Sequence, residues 1–166
     1  MTILVTILKW LLIALAIVVV AAVTAGRIGL LQGTPPTDLG VRDGRLKPPA
    51  TTPNSVSSQA ALYPDHPRRA EAQIEPLRFQ GDGAAAMARL KVLVEATEGA
   101  KIIKSEPGYL YATYETPLMR YVDDVEFLLD PNASVIQVRS ASRIGHGDQG
   151  ANRKRIEALR ARFSAG

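Results

Sequence analysis

The stretch that decides the fold is YVDDVEFLLDPNASVIQVRSASRIGHGDQGANRKRIEALRARF, residues 121–163. Residues 121–129 alternate with the period of a strand. Tyr121, Asp123, Val125, Phe127 and Leu129 share one face; Val122, Asp124, Glu126 and Leu128 share the other. Asp130-Pro131-Asn132 is a turn signal, because proline fixes φ and Asn tolerates the left-handed region. Residues 133–142 alternate again, setting Ile136, Val138 and Ser140 against Val135, Gln137 and Arg139. A hairpin that buries Val125, Phe127, Ile136 and Val138 turns Asp124, Glu126, Gln137 and Arg139 to its other face. Opposite charges facing each other across strands add about 0.2–1 kcal/mol.

The loop 143–150 carries G-H-G-D-Q-G, formally a GxGxxG between a strand and a helix. A dinucleotide site also needs a returning parallel strand and an acidic residue roughly 20 positions on. Residues 151–166 leave no room for that strand, so the dinucleotide reading is rejected. What survives is a helix N-terminus whose amides can hold an anion. Over residues 151–163, Asn152, Ile156, Leu159 and Phe163 fall on one stripe by their spacing of three and four. Asp148 is the expected N-cap, with Asn152 the alternative if the helix starts later. Arg153, Lys154 and Arg155 crowd the first turn, where the macrodipole disfavours cations. Either the carboxylates Asp123, Asp124, Glu126 and Asp148 offset that charge, or an anionic ligand or headgroup does.

The motifs V-D-D-V-E-F (122–127), V-R-S-A-S-R-I-G (138–145) and D-x-G-x-N-R-K-R-I-E (148–157) carry a resemblance. So do L-G-V-R-D-G-R-L (39–46), T-P-N-S-V-S-S-Q-A (52–60) and Y-L-Y-A (109–112). Together they are similar to the bacterial and plastid family called domain of unknown function 1499, over residues 39–163. The resemblance implies an architecture and no chemistry, since the family has no assigned activity. Relatives often carry cysteines in the proline-rich part; here Lys47-Pro48-Pro49 and Ser55 stand at those motifs. Gly147 stands where the family loop more often has Ser, which makes the GxGxxG look accidental.

The net charge of +4 hides a segregation. Residues 115–130 hold five acids against Arg120, whereas residues 139–162 hold seven Arg or Lys against Asp148 and Glu157. Adjacent elements of opposite sign mostly neutralise each other, so nucleic acid is not the expected partner. There is no cysteine, hence no disulfide or thiolate site.

Residues 3–25 are apolar apart from Thr6, Lys9 and Thr24. Such a helix spans roughly 30 Å, the hydrocarbon thickness of a bilayer. Lys9 lies near one end, where it can snorkel, and Trp10 suits an interfacial position. The alternative is a signal peptide cleaved after Val23-Thr24-Ala25. An anchor over residues 1–26 is the expectation, because Arg27-Ile28-Gly29-Leu30-Leu31 continues the run. Arg27, Arg42, Arg45 and Lys47 argue for a cytoplasmic domain. The signal-like start and the cysteine-bearing relatives argue for export, and a single-pass inner-membrane protein with a periplasmic domain is expected.

Residues 27–80 read as a Pro-rich linker or extended segment, with eight of the eleven prolines between residues 32 and 79. Ser57 and Ser58 are read there as turn and cap residues. Ile74, Leu77 and Phe79 can form an edge strand, Pro76 excluding a central one. The globular domain is placed at residues 81–166. Asp82 or Gly83 opens a helix through Glu98, with Met87, Leu90 and Val94 as its buried stripe, Ala86 and Leu93 beside them, and Gly99 as its stop. Strands at 101–106 and 109–116 turn Leu110, Ala112 and Tyr114 inward. The order helix, strands, helix predicts an α+β domain: an antiparallel sheet of about four strands with both helices on one face.

The opposite face then displays Tyr109, Tyr111, Glu115, Asp124, Glu126, Gln137 and Arg139, as a groove or as an ordinary solvated surface. The candidate ligand-binding set is Tyr111, Asp124, Glu126, Arg139, Arg143, His146, Asp148, Asn152, Arg153 and Arg155. A binding or accessory module of the cell envelope, recognising a protein, a lipid or a small anion, is the first functional expectation. The alternative is a hydrolase-like enzyme with Asp124 or Glu126 as general base and Arg139 or His146 as electrostatic stabiliser. No nucleophile–base pair is visible, and no cofactor is expected. Adjacent strand residues point to opposite faces, so Asp123 and Asp124 cannot readily share a metal ion.

Overall fold

The computed structural model describes residues 2–165. Helix α1 (Thr2–Arg27) leads through the Pro-rich tract to strand β1 (Ser55–Ser57), helix α2 (Arg69–Ala72) and strand β2 (Leu77–Arg78). Helix α3 (Gly83–Glu95) follows, then strands β3 (Ala100–Glu106), β4 (Tyr109–Glu115), β5 (Val122–Asp130) and β6 (Val135–Ser142), and finally helix α4 (Ala151–Ser164).

The expected hairpin forms, with Val125, Phe127, Ile136 and Val138 all fully buried. Glu126 lies directly opposite Arg139 in its register, and Asp124 opposite Ala141. The two long helices cover one face, where Ala86, Leu90 and Val94 of α3 and Ile156, Leu159 and Phe163 of α4 join the inward residues of β4, β5 and β6 in one core. The α4 stripe is as expected, its four residues Asn152, Ile156, Leu159 and Phe163 all buried. Met87 and Leu93 of α3 pack against the core while only partly buried.

The sheet has six strands rather than four. The extra two come from the Pro-rich part: β1 pairs residues 139–141 of β6 and β2 pairs residues 135–136. Both lie on one edge of β6, end to end, so Pro76 sits just outside a ladder that would have rejected it. Ser57 is therefore a fully buried strand residue, not a turn residue. Ser58 bridges the gap between the two edge strands: its amide donates to Val138 O (2.9 Å), and its hydroxyl accepts from Val138 N (2.8 Å).

The second sheet face is not open either. The tract over residues 38–50 lies across it, with Gly40 N donating to Glu126 Oε1 (2.8 Å) and Pro48 O accepting from Arg139 Nε (3.1 Å). Leu46, within this cover, is buried, and its amide donates to Gln59 Oε1 (2.8 Å). The expected display of Tyr109, Asp124, Glu126 and Arg139 is corrected accordingly, for all four are buried.

Helix α3 starts as read, Asp82 Oδ1 accepting from Ala85 N at 2.7 Å. It ends at Glu95, three residues before the expected Glu98, and Thr97 folds its hydroxyl back onto Leu93 O (2.7 Å). Gly99, at φ 75°, has a different task from stopping the helix. Its carbonyl accepts from Glu115 N (2.9 Å), and a Cβ there would stand 2.4 Å from Glu115 O.

Candidate functional site

Strand β5 is hydrogen-bonded on both edges, to β4 and β6. Its alternation sends Asp123 to the helix-covered face and Asp124 and Glu126 to the face under the Pro-rich tract. All three are nearly or wholly withdrawn from bulk water: Asp123 and Asp124 are 3% exposed and Glu126 is 0% exposed. A buried carboxylate without a partner is prohibitively costly. Each of the three is matched by an arginine from a different element. Arg155 of α4 reaches Asp123 at 2.5 Å, Arg143 after β6 forks onto Asp124 with its closest contact at 2.8 Å, and Arg139 of β6 lies 3.6 Å from Glu126.

Two tyrosines complete the covered face. Tyr109 donates to Glu126 Oε1 (2.8 Å) and Tyr111 to Asp124 Oδ1 (2.6 Å). Burial, reinforced by Glu126, pushes the Tyr109 phenol far above its ordinary pKa. Burial and the hydrogen bond to Asp124 push Tyr111 to about 12. Both phenols are thus fixed as donors. Burial holds Arg139 below its usual value against the pull of Glu126, whereas the hydrogen bond to Asp124 raises Arg143. Glu126 Oε2 receives no hydrogen bond among the described residues.

A second cluster sits on the helix-covered side. Asn152, fully buried in the first turn of α4, donates towards Asn54 O (3.0 Å), Ser142 Oγ (2.9 Å) and Asp148 Oδ2 (2.8 Å). Its side-chain oxygen accepts from Ser140 Oγ and from Arg155 Nη1 (2.9 Å). Arg155 also lies over the Tyr114 ring, 4.8 Å from its centre. The N-cap position itself is Gly150, in the left-handed region. Asp148 nonetheless supplies the capping carboxylate from two residues upstream, accepting from Gly150 N (2.9 Å) and Asn152 N (2.8 Å). The helix N-terminus that could have held an external anion is held by the chain's own carboxylate.

The ten candidate residues therefore divide. Tyr111, Asp124, Glu126, Arg139 and Arg143 assemble on the covered sheet face. Asp148, Asn152 and Arg155 meet on the helix side. Arg153 binds backbone carbonyls, Glu71 O at 2.8 Å and Gln73 O at 2.9 Å, and not a carboxylate. His146 is an exposed loop residue apart from both clusters. Residues not singled out as a site include Asn54, Ser140 and Ser142, although each lies in a quoted motif. Tyr109 and Lys47 complete the omissions, Lys47 paired with Asp38 at 2.6 Å.

Between the Pro-rich tract and β6 a cleft of about 370 Å³ opens, lined by Thr34, Lys47, Asp124, Arg139, Ser142 and Arg143 among others. Three cations and one carboxylate face it. Arg139 keeps unused capacity, since a guanidinium has five N–H donors and, among the described residues, its Nε alone makes a hydrogen bond while Nη1 stands 3.6 Å from Glu126.

These features define a small α+β domain, joined to an apolar helix long enough to cross a membrane, whose charged residues are assembled as buried ion pairs. The chain belongs to the family described as Protein of unknown function (DUF1499), which matches residues 45–163. That span takes in both edge strands as well as the hairpin and α4, and begins slightly later than the motifs at residue 39 imply. No curated protein and no solved structure matches the chain.

Asp123→Asn and Arg155→Met each leave one charge buried alone, which is expected to cost about 3–5 kcal/mol. The double variant should cost clearly less than the sum of the two, read by urea unfolding as a double-mutant cycle. The acid limb of stability supplies a second expectation. Burial raises the Asp148 pKa, but hydrogen bonds from Asn152 and Gly150 outweigh it and hold the carboxyl below its ordinary value. A folded value below the unfolded one, about 3.9, gives stability that is complete above it and lost as pH falls through the folded value. Asp148→Asn should therefore flatten the fall in melting temperature on acidification, leaving the slope contributed by Asp38 and Glu115, which are also lowered.

Proposed function

We propose that this chain is a membrane-tethered binding or accessory module of the cell envelope, and that its ligand is a small anion or an anionic headgroup taken up in the cleft beside Arg139. The observation that carries this reading is the commitment of each buried β5 carboxylate, Asp123, Asp124 and Glu126, to its own arginine. A general base must be free to accept a proton at the reacting atom. Asp124 is instead forked by Arg143 and bonded by Tyr111, and Glu126 is sealed from solvent. The hydrolase alternative thus lacks its central group. Recognition asks less: a cavity with a few convergent polar groups. Lys47, Arg139 and Arg143 provide them.

The same reading places α1 in a membrane as a single span, on the strength of its length and apolar composition. The domain is placed on the periplasmic side. Of the cations that argue otherwise, Arg42 and Arg45 close a turn on each other's backbone (2.9 and 3.0 Å) and Lys47 is paired with Asp38. They also lie at the far limit, about 15–20 residues from the end of the span, at which such charges count as topology signals.

The full chain, extracted in mild detergent, should carry a bound small anion or anionic lipid in native mass spectra. Lys47→Gln, at a half-exposed position on the cleft wall, should weaken that adduct without lowering the melting temperature. A wild-type chain that is empty, with no partner captured by crosslinking in the membrane, would remove the binding reading. For topology, a C-terminal alkaline phosphatase fusion should be active in a bacterial host and a fluorescent-protein fusion dark; the reverse pattern places the domain in the cytoplasm.

A further inference from the structure

The apolar run of α1 ends at Gly26, and the first charge after it is Arg27. A spanning helix meets the lipid–water boundary at that point. Gly26 is buried there against the β4–β5 turn, where a Cβ would stand 2.6 Å from Met119 O. Only glycine permits that approach. Arg120 fastens the same joint, its guanidinium donating to Arg27 O (3.1 Å) while its Nε pairs with Glu115 at 2.8 Å. Gln32 returns to Glu115 at 2.9 Å. Residues in contact with position 26 therefore lie at the depth of the boundary.

The turn itself, residues 116–121, is closed by Thr116 N donating to Tyr121 O (2.9 Å) and Tyr121 N donating to Thr116 Oγ1 (2.9 Å). These two hydrogen bonds close its tip. Leu118 at that tip is 57% exposed, and Tyr121 beside it 39%. Across the joint, Ile28 is 68% and Leu30 69% exposed. Four large apolar side chains near the exit of the anchor thus leave much of their surface uncovered.

We propose that the β4–β5 turn is a second membrane contact, Leu118 and Tyr121 lying in the lipid interface beside the anchor and fixing how the domain stands on the bilayer. This rests on the membrane reading of α1. The occupant is lipid because the patch is continuous with the helix that enters the lipid, at the same depth. Tyrosine suits that level, its ring apolar and its hydroxyl wet. The domain then stands with β5 running outward, and its nine residues carry the Pro131-Asn132 turn roughly 27 Å from the surface.

The absence of cysteine makes the test direct. Leu12→Cys, Leu118→Cys and Asn132→Cys are introduced singly into the full chain, labelled with an environment-sensitive fluorophore and reconstituted into phosphatidylcholine vesicles. Lipids spin-labelled at shallow and deep chain positions then serve as quenchers. The inference predicts that the Leu12 label loses most of its emission to the deep quencher, the Leu118 label to the shallow one, and the Asn132 label to neither. Quenching at position 12 without quenching at 118 overturns the turn contact and leaves the anchor standing. Quenching at neither position removes the anchor and the inference with it. Equal quenching at 118 and 132 also overturns the inference, because the domain would then have no fixed stance.

Discussion

A strand that is hydrogen-bonded on both edges and covered on both faces has little water to offer the carboxylates along its middle, yet β5 buries three there, while Asp130 at its end stays half-buried. Removing an ion from water costs several kcal/mol even after relaxation, so Asp123, Asp124 and Glu126 dictate where cations must come from. Arg155 brings the first turn of α4 over Asp123, and Asn152 on the neighbouring position then ties that turn to β6 and to Asn54. Arg143 brings the end of β6 to Asp124, and Arg139 faces Glu126 within the ladder. Such pairs add little net stability against an apolar core of the same shape. Their effect is on uniqueness. A one-residue slip of β6 against β5 would reverse faces and leave charges on both strands buried without partners.

The Pro-rich tract follows from the same constraint. Proline cannot donate to a ladder, but its carbonyl accepts freely, and Pro48 O takes the Nε proton of Arg139. Gly40 N gives Glu126 a donor that no strand can supply from that direction. A covering segment of extended backbone, rich in acceptors and with few amides to satisfy, suits a face built from arginine, tyrosine and carboxylate. The tract is thus as much a part of the domain as its helices.

What the sequence makes legible is whatever repeats. The stripe of α4 and the alternation of the hairpin rest on several periods each, and both fold as read. Strand β2, at two residues, falls within the edge strand expected from Ile74, Leu77 and Phe79, whereas β1, at three residues, contains no period and exists because β6 offers it an edge. Ser57 therefore reads as a turn residue until its partner is in view. The burial of Asp124, Glu126 and Arg139 is hidden for a related reason. Charged residues are almost never fully buried unless paired, and the groups that enclose these three lie as far away in the chain as Gly40 and Pro48. Asp148 is an intermediate case: its carboxylate caps α4 as composition implies, while Gly150 in the left-handed region takes the cap position itself. Asn54, Ser140 and Ser142 were visible in motifs, but nothing in their spacing says that Asn152 gathers them.

The cleft and the anchor are mechanically one object. Gly33, six residues past the end of α1, is wedged against the side chains of Arg143 and Ile144, where a Cβ would meet them at 2.8 and 2.7 Å. Thr34, next in the chain, lines the cleft together with Arg143 and Arg139. A displacement of the tract between residues 33 and 50 would move Gly40 and Pro48 and so disturb the hydrogen bonds of Glu126 and Arg139 together. Because those bonds satisfy groups with almost no exposure to water, their loss is resisted by desolvation more than by contact area. The tract is consequently tied to the sheet although it has almost no regular structure. These contacts tie the cleft to the segment that leaves α1, an arrangement that would suit the anion uptake proposed above.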